Sequence, residues 1–430
     1  MNTVAKPSRP INPMAHVLRH RDFRLLWIGQ ATSLIGDQFA LIAMPWLVLW
    51  LTNDPLVLGT VLALAGIPRA IFMLVGGAIV DRFSPRTVML VSDILRLFLV
   101  SLLAVLVFTA TIQLWMLYAF SLVFGLLSGF FLPASISVVP SLVQPEELQA
   151  GNAMFQGTGQ LAGLIGPTLA GAVIGWFAHL TTSASSELTG IGLALCIDVI
   201  TFVASVWTLW AIQAGKGLPS HNDESVLKLI GAGIQNILRQ PFVRVLFTVT
   251  GLFNFLFLGP LLVGIPLLAN TRLAEGVVGF GLIMSAFAGG NLMGAVVAGN
   301  RPKPSRRQFH LFVIVLLVAF GMTLSILGWV YSTWLAFLVM FVLSIGNGYF
   351  VIITITFLQQ STPREMLGRL MSLLLFASTG LLPLSEALSG AVSRWSLTAL
   401  FVGSGVLMFC VALWTATCSR SFENEAITPE

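Results

Sequence analysis

Charge is what this chain has least of. Asp, Glu, Lys and Arg make up 9% of its 430 residues, against roughly a quarter in a soluble globular domain. A charged, water-facing shell around one core is thereby excluded. The three cysteines, Cys196, Cys410 and Cys418, stand in apolar runs without ligand spacing, which favours neither a disulfide framework nor a zinc site. Five histidines (His16, His20, His179, His221, His310) are scattered through loops and ends, so no metal centre is expected. No paired nucleophile and base and no phosphate-cradling loop stand out, and an enzyme is not expected. A cleavable leader is not expected either, because residues 1–22 are polar and the first apolar run is too long for a leader core.

What the chain has instead is apolar length. Hydrophobic residues reach 57% and the mean hydropathy is +0.93. A helix crossing the hydrocarbon needs about 20 apolar residues. Twelve such runs are predicted, near 23–50, 56–80, 87–108, 113–136, 150–177, 189–213, 243–270, 276–299, 308–330, 333–358, 367–392 and 397–418. Loops placed alternately on two sides sort the 22 Lys and Arg sharply. Eighteen fall on one side; only Arg272 and Arg394 fall on the other, and Arg69 and Arg96 lie within spans. By the positive-inside rule both termini are expected in the cytoplasm. The pI near 9.5 is therefore a topology signal, and a nucleic-acid partner is not expected.

The two halves repeat. Arg19, Arg24 and Leu26 correspond to Arg239, Arg244 and Leu246 before the first span of each half, and Pro145-Glu146-Glu147-Leu148 to Pro363-Arg364-Glu365-Met366. The expected layout is an all-α membrane protein with twelve transmembrane helices in two parallel six-helix halves. A cytoplasmic tail occupies 1–22, the first half 23–213, a linker 214–242, the second half 243–418 and a cytoplasmic tail 419–430. Within the linker, Val226, Leu229, Ile230, Ile234, Ile237 and Leu238 recur at helical spacing, the pattern of an amphipathic helix at the membrane surface. It suits a tether between moving halves or an ordinary surface helix.

Between spans 2 and 3 the chain reads Gly76 to Arg86, GGAIVDRFSPR, a polar hinge with one acid and two arginines. Together with the 6+6 repeat, the stretch Gly77, Asp81, Arg82 and Arg86 resembles the loop signature of the major facilitator superfamily, with Ser84 and Pro85 departing from it. Arg21-Asp22-Phe23-Arg24-Leu25-Leu26-Trp27 and Ile35-Gly36-Asp37 resemble the branch of macrolide-type and enterobactin-type exporters. In span 5, Gly163, Gly166, Pro167 and Gly171 resemble the helix-bend element of export-type members. The same small residues also suit plain close packing around a proline kink.

The resemblance implies a major facilitator fold whose halves rock about a central site. Ionisable residues inside spans are costly and mark function by default. Asp37, on a stripe with Gln30 and Ser33, is the first choice for a proton site; the alternative is a permanent ion pair with Arg69. Span 4 carries no charge from Phe120 to Pro133, so Arg69 is the candidate for an exporter's arginine. Glu386, Gln156, Gln160, Asn254, Asn291 and Asn347 are the remaining cavity candidates, and the three asparagines equally suit packing beside glycines. Asp81, Arg82, Arg86, Asp93 and Arg96 are expected to form a cytoplasmic gate. Asp198 is expected to make a structural bond on a peripheral span.

The function so implied is proton-coupled efflux of an amphipathic or lipophilic small molecule, of drug or siderophore type. The chain would act as a monomer in a bacterial inner membrane, with the proton gradient as driving force and no cofactor. An uptake facilitator or symporter of the same fold is the alternative. A membrane-embedded enzyme or scaffold would need a His/Asp/Glu cluster at a membrane face.

Overall fold

The computed structural model describes residues 13–82, 84–144, 147–180, 184–213, 241–361 and 373–418, and within them the side chains except at 13, 74–82, 179–180, 184–185, 241 and 360–361. Twelve of its helices are long and apolar enough to cross a membrane. Spans 1 to 6 are Arg21–Thr52, Pro55–Met73, Pro85–Phe108, Leu114–Ser141, Leu148–Ala178 and Ser186–Ala211. Spans 7 to 12 are Phe242–Arg272, Gly276–Asn300, Arg306–Leu327, Thr333–Gln359, Leu373–Trp395 and Leu397–Thr417. The all-helical, twelve-span architecture is as expected, and no strand occurs among the described residues. Exposed tryptophans gather at helix ends, Trp115, Trp176, Trp334 and Trp395 at one end and Trp207 and Trp210 at the other. Amphipathic indoles settle at membrane–water boundaries in this way.

Local chemistry sets where the helices stop. Asn53 ends span 1 in the left-handed conformation, φ 46°, donating its N–H to Leu49 O; asparagine tolerates this better than most residues. Asp54 then accepts the Leu56 N–H at 2.9 Å and starts span 2. The third helix of each half opens on a serine cap. Ser84 accepts the Thr87 N–H at 3.3 Å with Pro85 in the first turn, and Ser305 exchanges bonds with Gln308 in a capping box. Such caps contribute about 1 kcal/mol each. Ser84 and Pro85, the departures from the family signature, thus have a local reason.

The polar hinge expected over 76–86 is almost entirely helix. The helix of span 2 runs Pro55–Arg82 and the next begins at Pro85. The side chains of Gly77, Asp81 and Arg82 lie outside those described. The linker expected over 214–242 lies outside the described residues apart from 241 and 242, as do residues 1–12 and the tail 419–430. The N-terminal tail expected over 1–22 is partly folded. Pro13–Val17 form a short helix, and Val17 is fully buried with Phe23, Met89 and Val138.

Within the first half, span 1 packs on spans 5 and 6, span 2 on span 4, and span 3 on span 6. The second half repeats this with span 7 on spans 11 and 12, span 8 on span 10, and span 9 on span 12. The halves meet through two joints, span 2 with span 11 and span 5 with span 8. Adding six to one joint gives the other, so the two are pseudo-equivalent.

The cores differ. In the second half, Phe253, Phe257 and Phe320 pack edge-on at 4.6 and 4.7 Å, and Phe309 lies 5.0 Å from Phe357. Aromatic pairs contribute roughly 0.5–1.5 kcal/mol beyond their buried area. Spans 8 and 10 approach through Gly290, Gly294 and Gly348. A Cβ on Gly294 would overlap the Ile345 carbonyl and lie 2.8 Å from the Tyr349 nitrogen. Gly294→Leu should therefore cost roughly 1–3 kcal/mol by overpacking, lowering the unfolding midpoint by roughly 2–4 °C per kcal/mol. Gly299→Ala, whose Cβ meets nothing within 4 Å, should leave the midpoint unchanged. Thermal unfolding of the two detergent-solubilised variants checks this, and equal midpoints would contradict it.

Candidate functional site

Span 6 carries Asp198, Thr201, Ser205 and Thr208 at helical spacing, all buried. Span 1 presents glycines to this polar stripe. A Cβ on Gly36 would overlap Thr201 and Asp198 Oδ1, and one on Gly29 would overlap Thr208. Span 3 adds Asp93 and Arg96, three residues apart and therefore on one face. Ser205 donates to Asp93 Oδ2 at 2.7 Å, and Arg96 Nη1 lies 3.6 Å from Asp93 Oδ1. Thr201 donates to Asp198 Oδ1 at 3.4 Å. Arg96 acts electrostatically on Asp93, Asp37 and Asp198 together. Its guanidinium also lies over the rings of Phe131 (4.3 Å) and Phe124 (5.5 Å) of span 4. Three carboxylates thus gather about one guanidinium inside the first half.

This arrangement corrects several expectations. Asp93 and Arg96, expected at the gate, sit inside the helix bundle at 0% and 5% exposure, because their shared face turns toward spans 1, 4 and 6. Asp198 belongs to the same cluster, not to an isolated structural bond. The arginine near Asp37 is Arg96, not Arg69. The charge that span 4 lacks is brought to its phenylalanines by span 3. Arg86, also expected at the gate, keeps to the first half. It donates to the carbonyls of Leu209 (2.7 Å) and Trp210 (2.8 Å), where span 6 has run out of intrahelical donors.

Arg69, exposed on span 2, acts instead on Glu386 of span 11. Glu386 is 4% exposed, and its Oε2 has no hydrogen-bond partner. The two residues stand on spans 2 and 11, one in each half. Close by, a Cβ on Gly59 would lie 2.9 Å from Gly390 Cα, and one on Gly66 would lie 2.6 Å from Pro383. Beyond Gly66, spans 2 and 11 frame an apolar groove of about 440 Å³, lined by Ile67, Ile71, Phe376 and Leu384.

The other joint uses the span 5 element. A Cβ on Gly171 would meet Val277 O of span 8 at 2.7 Å, while one on Gly166 would meet Gln38 Cβ of span 1, within the first half, at 2.5 Å. Pro167 O lies against Gly281, Gly163 faces Ala288, and Thr168 donates its hydroxyl to Ser285 Oγ at 2.8 Å. Gly163, Gly166, Pro167 and Gly171 are therefore seated in a packing seam. Toward the end of the bundle that carries Arg86 and Arg301, called the basic end, the halves part. A Cβ on Gly157 or Gly159 would meet nothing within 4 Å, and Gln156 is exposed with Gln160 half-buried.

At the far end the bundle is fastened. Asn270 donates to Asn53 at 3.2 Å, Arg394 lies 3.5 Å from Asp54, and Gly276 lies against Trp46. These residues were not singled out from the sequence. The dipeptide Asn53-Asp54, a two-residue break between long apolar runs, was the available signal. The remaining candidates are placed as follows. Asn347 donates to Asn291 at 2.7 Å and Asn254 donates back to Thr250 O at 2.8 Å. Gln30 is buried on span 1, with its Nε2 unpartnered.

The family described as Major Facilitator Superfamily matches residues 26–381. The chain belongs to this superfamily. It is 22% identical to macrolide efflux protein A of Streptococcus pyogenes, over 91% of this chain and 94% of that one. It is 23% identical to the multidrug efflux pump Tap of Mycolicibacterium fortuitum, over 70% of this chain and 72% of that one. A solved structure of a bacterial homologue of the human lysosomal transporter Spinster, in an inward-facing and unoccupied conformation, superposes with a TM-score of 0.70 at 12% identity. It covers 98% of this chain and 100% of that chain. The chain is thus an integral multi-pass transporter, and not an enzyme.

Two outcomes follow for a superfamily member built this way. Arg96→Leu should leave three buried carboxylates without their cation, at a cost of about 3–5 kcal/mol. Little monodisperse protein should then be recovered by size-exclusion chromatography. Arg96→Lys should restore it poorly, since an ammonium cannot stack as a plane on Phe131. Full recovery of Arg96→Leu would contradict this. Asp54→Asn should weaken the far-end fastening by up to about 1 kcal/mol, the range for a half-exposed pair. That corresponds to roughly a fivefold population shift at most, read from cysteine accessibility at the far end.

Proposed function

We propose that this superfamily member is a proton-coupled exporter of amphipathic or lipophilic small molecules. The observation that carries the reading is the cluster of Asp37, Asp93 and Asp198 about the single guanidinium of Arg96. With all carboxylates ionised, the group is two charges away from neutrality. Buried net charge is costly within a membrane, and proton uptake relieves it. Asp37, half-buried while Asp93 and Asp198 are sealed, is the member best placed to exchange protons with water, which makes it the proton site. Protonation there changes the hold of Arg96 across spans 1, 3 and 6, and so biases how the first half sits against the second.

The direction and cargo rest on different support. The printed names of two relatives, a macrolide efflux protein and a multidrug efflux pump, favour export of such compounds. The apolar groove beside spans 2 and 11 suits a lipophilic molecule better than a sugar. Glu386 and Arg69 couple the halves through charge, and the gate at the basic end is assigned to Asp81 and Arg82. The orientation follows the positive-inside rule, with the basic end cytoplasmic in a bacterial inner membrane. The chain works as a monomer and needs no cofactor beyond the proton gradient.

Asp37→Asn should abolish proton-driven transport of a lipophilic cationic dye in inverted vesicles, lowering the rate by more than about tenfold, while membrane insertion is kept. An unchanged rate removes Asp37 from the coupling. Uphill accumulation in right-side-out vesicles only would replace export with uptake.

A further inference from the structure

The short helix Pro13–Val17 and the turn after it place two histidines side by side. His16 lies in the helix and His20 after the turn, with their ring centroids 6.1 Å apart. Leu18 N–H bonds to Met14 O at 3.3 Å, and His20 N–H to Val17 O at 3.2 Å, which holds this spacing. Glu147, at the start of span 5, comes between the two rings. His16 Nδ1 lies 2.5 Å from Glu147 Oε1, and His20 Nε2 lies 3.0 Å from Oε2. One ligand atom from each of the three residues lies within 4.8 Å of the others.

We propose that His16, His20 and Glu147 form a binding site for a divalent transition metal of the zinc class. Two imidazoles and a carboxylate are among the ligand sets that zinc accepts in open sites, with water as the fourth ligand. Bonds of about 2.0–2.2 Å put neighbouring ligand atoms roughly 3.3 Å apart around a tetrahedral ion. The present separations reach that arrangement with side-chain movements alone. Access is available, since His16 is 46% and His20 39% exposed while Glu147 is 13% exposed. Arg21 pairs with Asp22, and Arg24 points to Leu18 O at 3.5 Å. An oxygen- and nitrogen-bearing set of this kind also accepts nickel and copper more readily than magnesium or calcium.

Occupancy would pin the N-terminal segment to the start of span 5. The test uses the full chain, purified without a polyhistidine tag, stripped with a chelator and titrated with Zn²⁺ against a chromophoric competitor. The expected result is one zinc per chain, weakened at least about tenfold in His16→Gln, His20→Gln and Glu147→Gln alike. Size-exclusion profiles show whether each variant is folded. Co²⁺ should give visible bands in the wild type that the three substitutions remove. Absence of zinc binding, or binding unchanged by all three substitutions, overturns the proposal.

Discussion

A charge surrounded by lipid has to find its opposite within the protein, and the arrangement of this transporter follows from that constraint. The first half concentrates its intramembrane charges about Arg96, whose guanidinium is shared among spans 1, 3 and 6 and rests on the phenylalanines of span 4. The acid within span 11, Glu386, looks for its counter-charge across the boundary, to Arg69 of span 2. Away from these groups the spans are held by small-residue seams and, in the second half, by phenylalanines packed edge to face. The halves therefore share one architecture and differ in chemistry. One carries the titratable interior, and the other is an apolar body with one acid at its edge.

Much of the fold was legible because lipid leaves few choices. A chain with 9% charge and apolar runs of membrane length can only form helices there, and alternation of basic loops gave the two-sided pattern. The candidate site was less legible, because spacing along one helix says which residues share a face but not which helix that face meets. Asp93 and Arg96 were readable as a pair, yet nothing in their spacing said that the shared face meets Ser205 of span 6. The stripe Asp198, Thr201, Ser205 and Thr208 was visible at helical spacing. It was passed over because the resemblance placed span 6 at the periphery. Arg69 and Asp37 looked like partners by depth alone, and only packing separates them. The histidines carry the same lesson, since their partner Glu147 is 131 residues from His16.

The two ends of the molecule are built on different terms. At the far end, Asn53 and Asp54 each do two things, closing one helix or opening the next while reaching across to Asn270 or Arg394. At the basic end, Arg86 turns back to cap span 6 of its own half, and Lys303 and Arg306 lie over Phe357 and Phe242 of theirs. Charges at the far end thus tie the halves together. The cations just named at the basic end hold each half to itself, which leaves that end of the bundle free to part without breaking the halves.

The joints between the halves also have a mechanical meaning. Spans 2 and 11 touch at Gly59 and Gly390, and spans 5 and 8 at Gly171 and Gly281, so at these points backbone meets backbone. Knobs seated in holes would have to be lifted out before either surface could turn. Smooth surfaces can roll. Such a joint behaves as a bearing with low friction, in which close contact and ease of motion come from the same missing side chains.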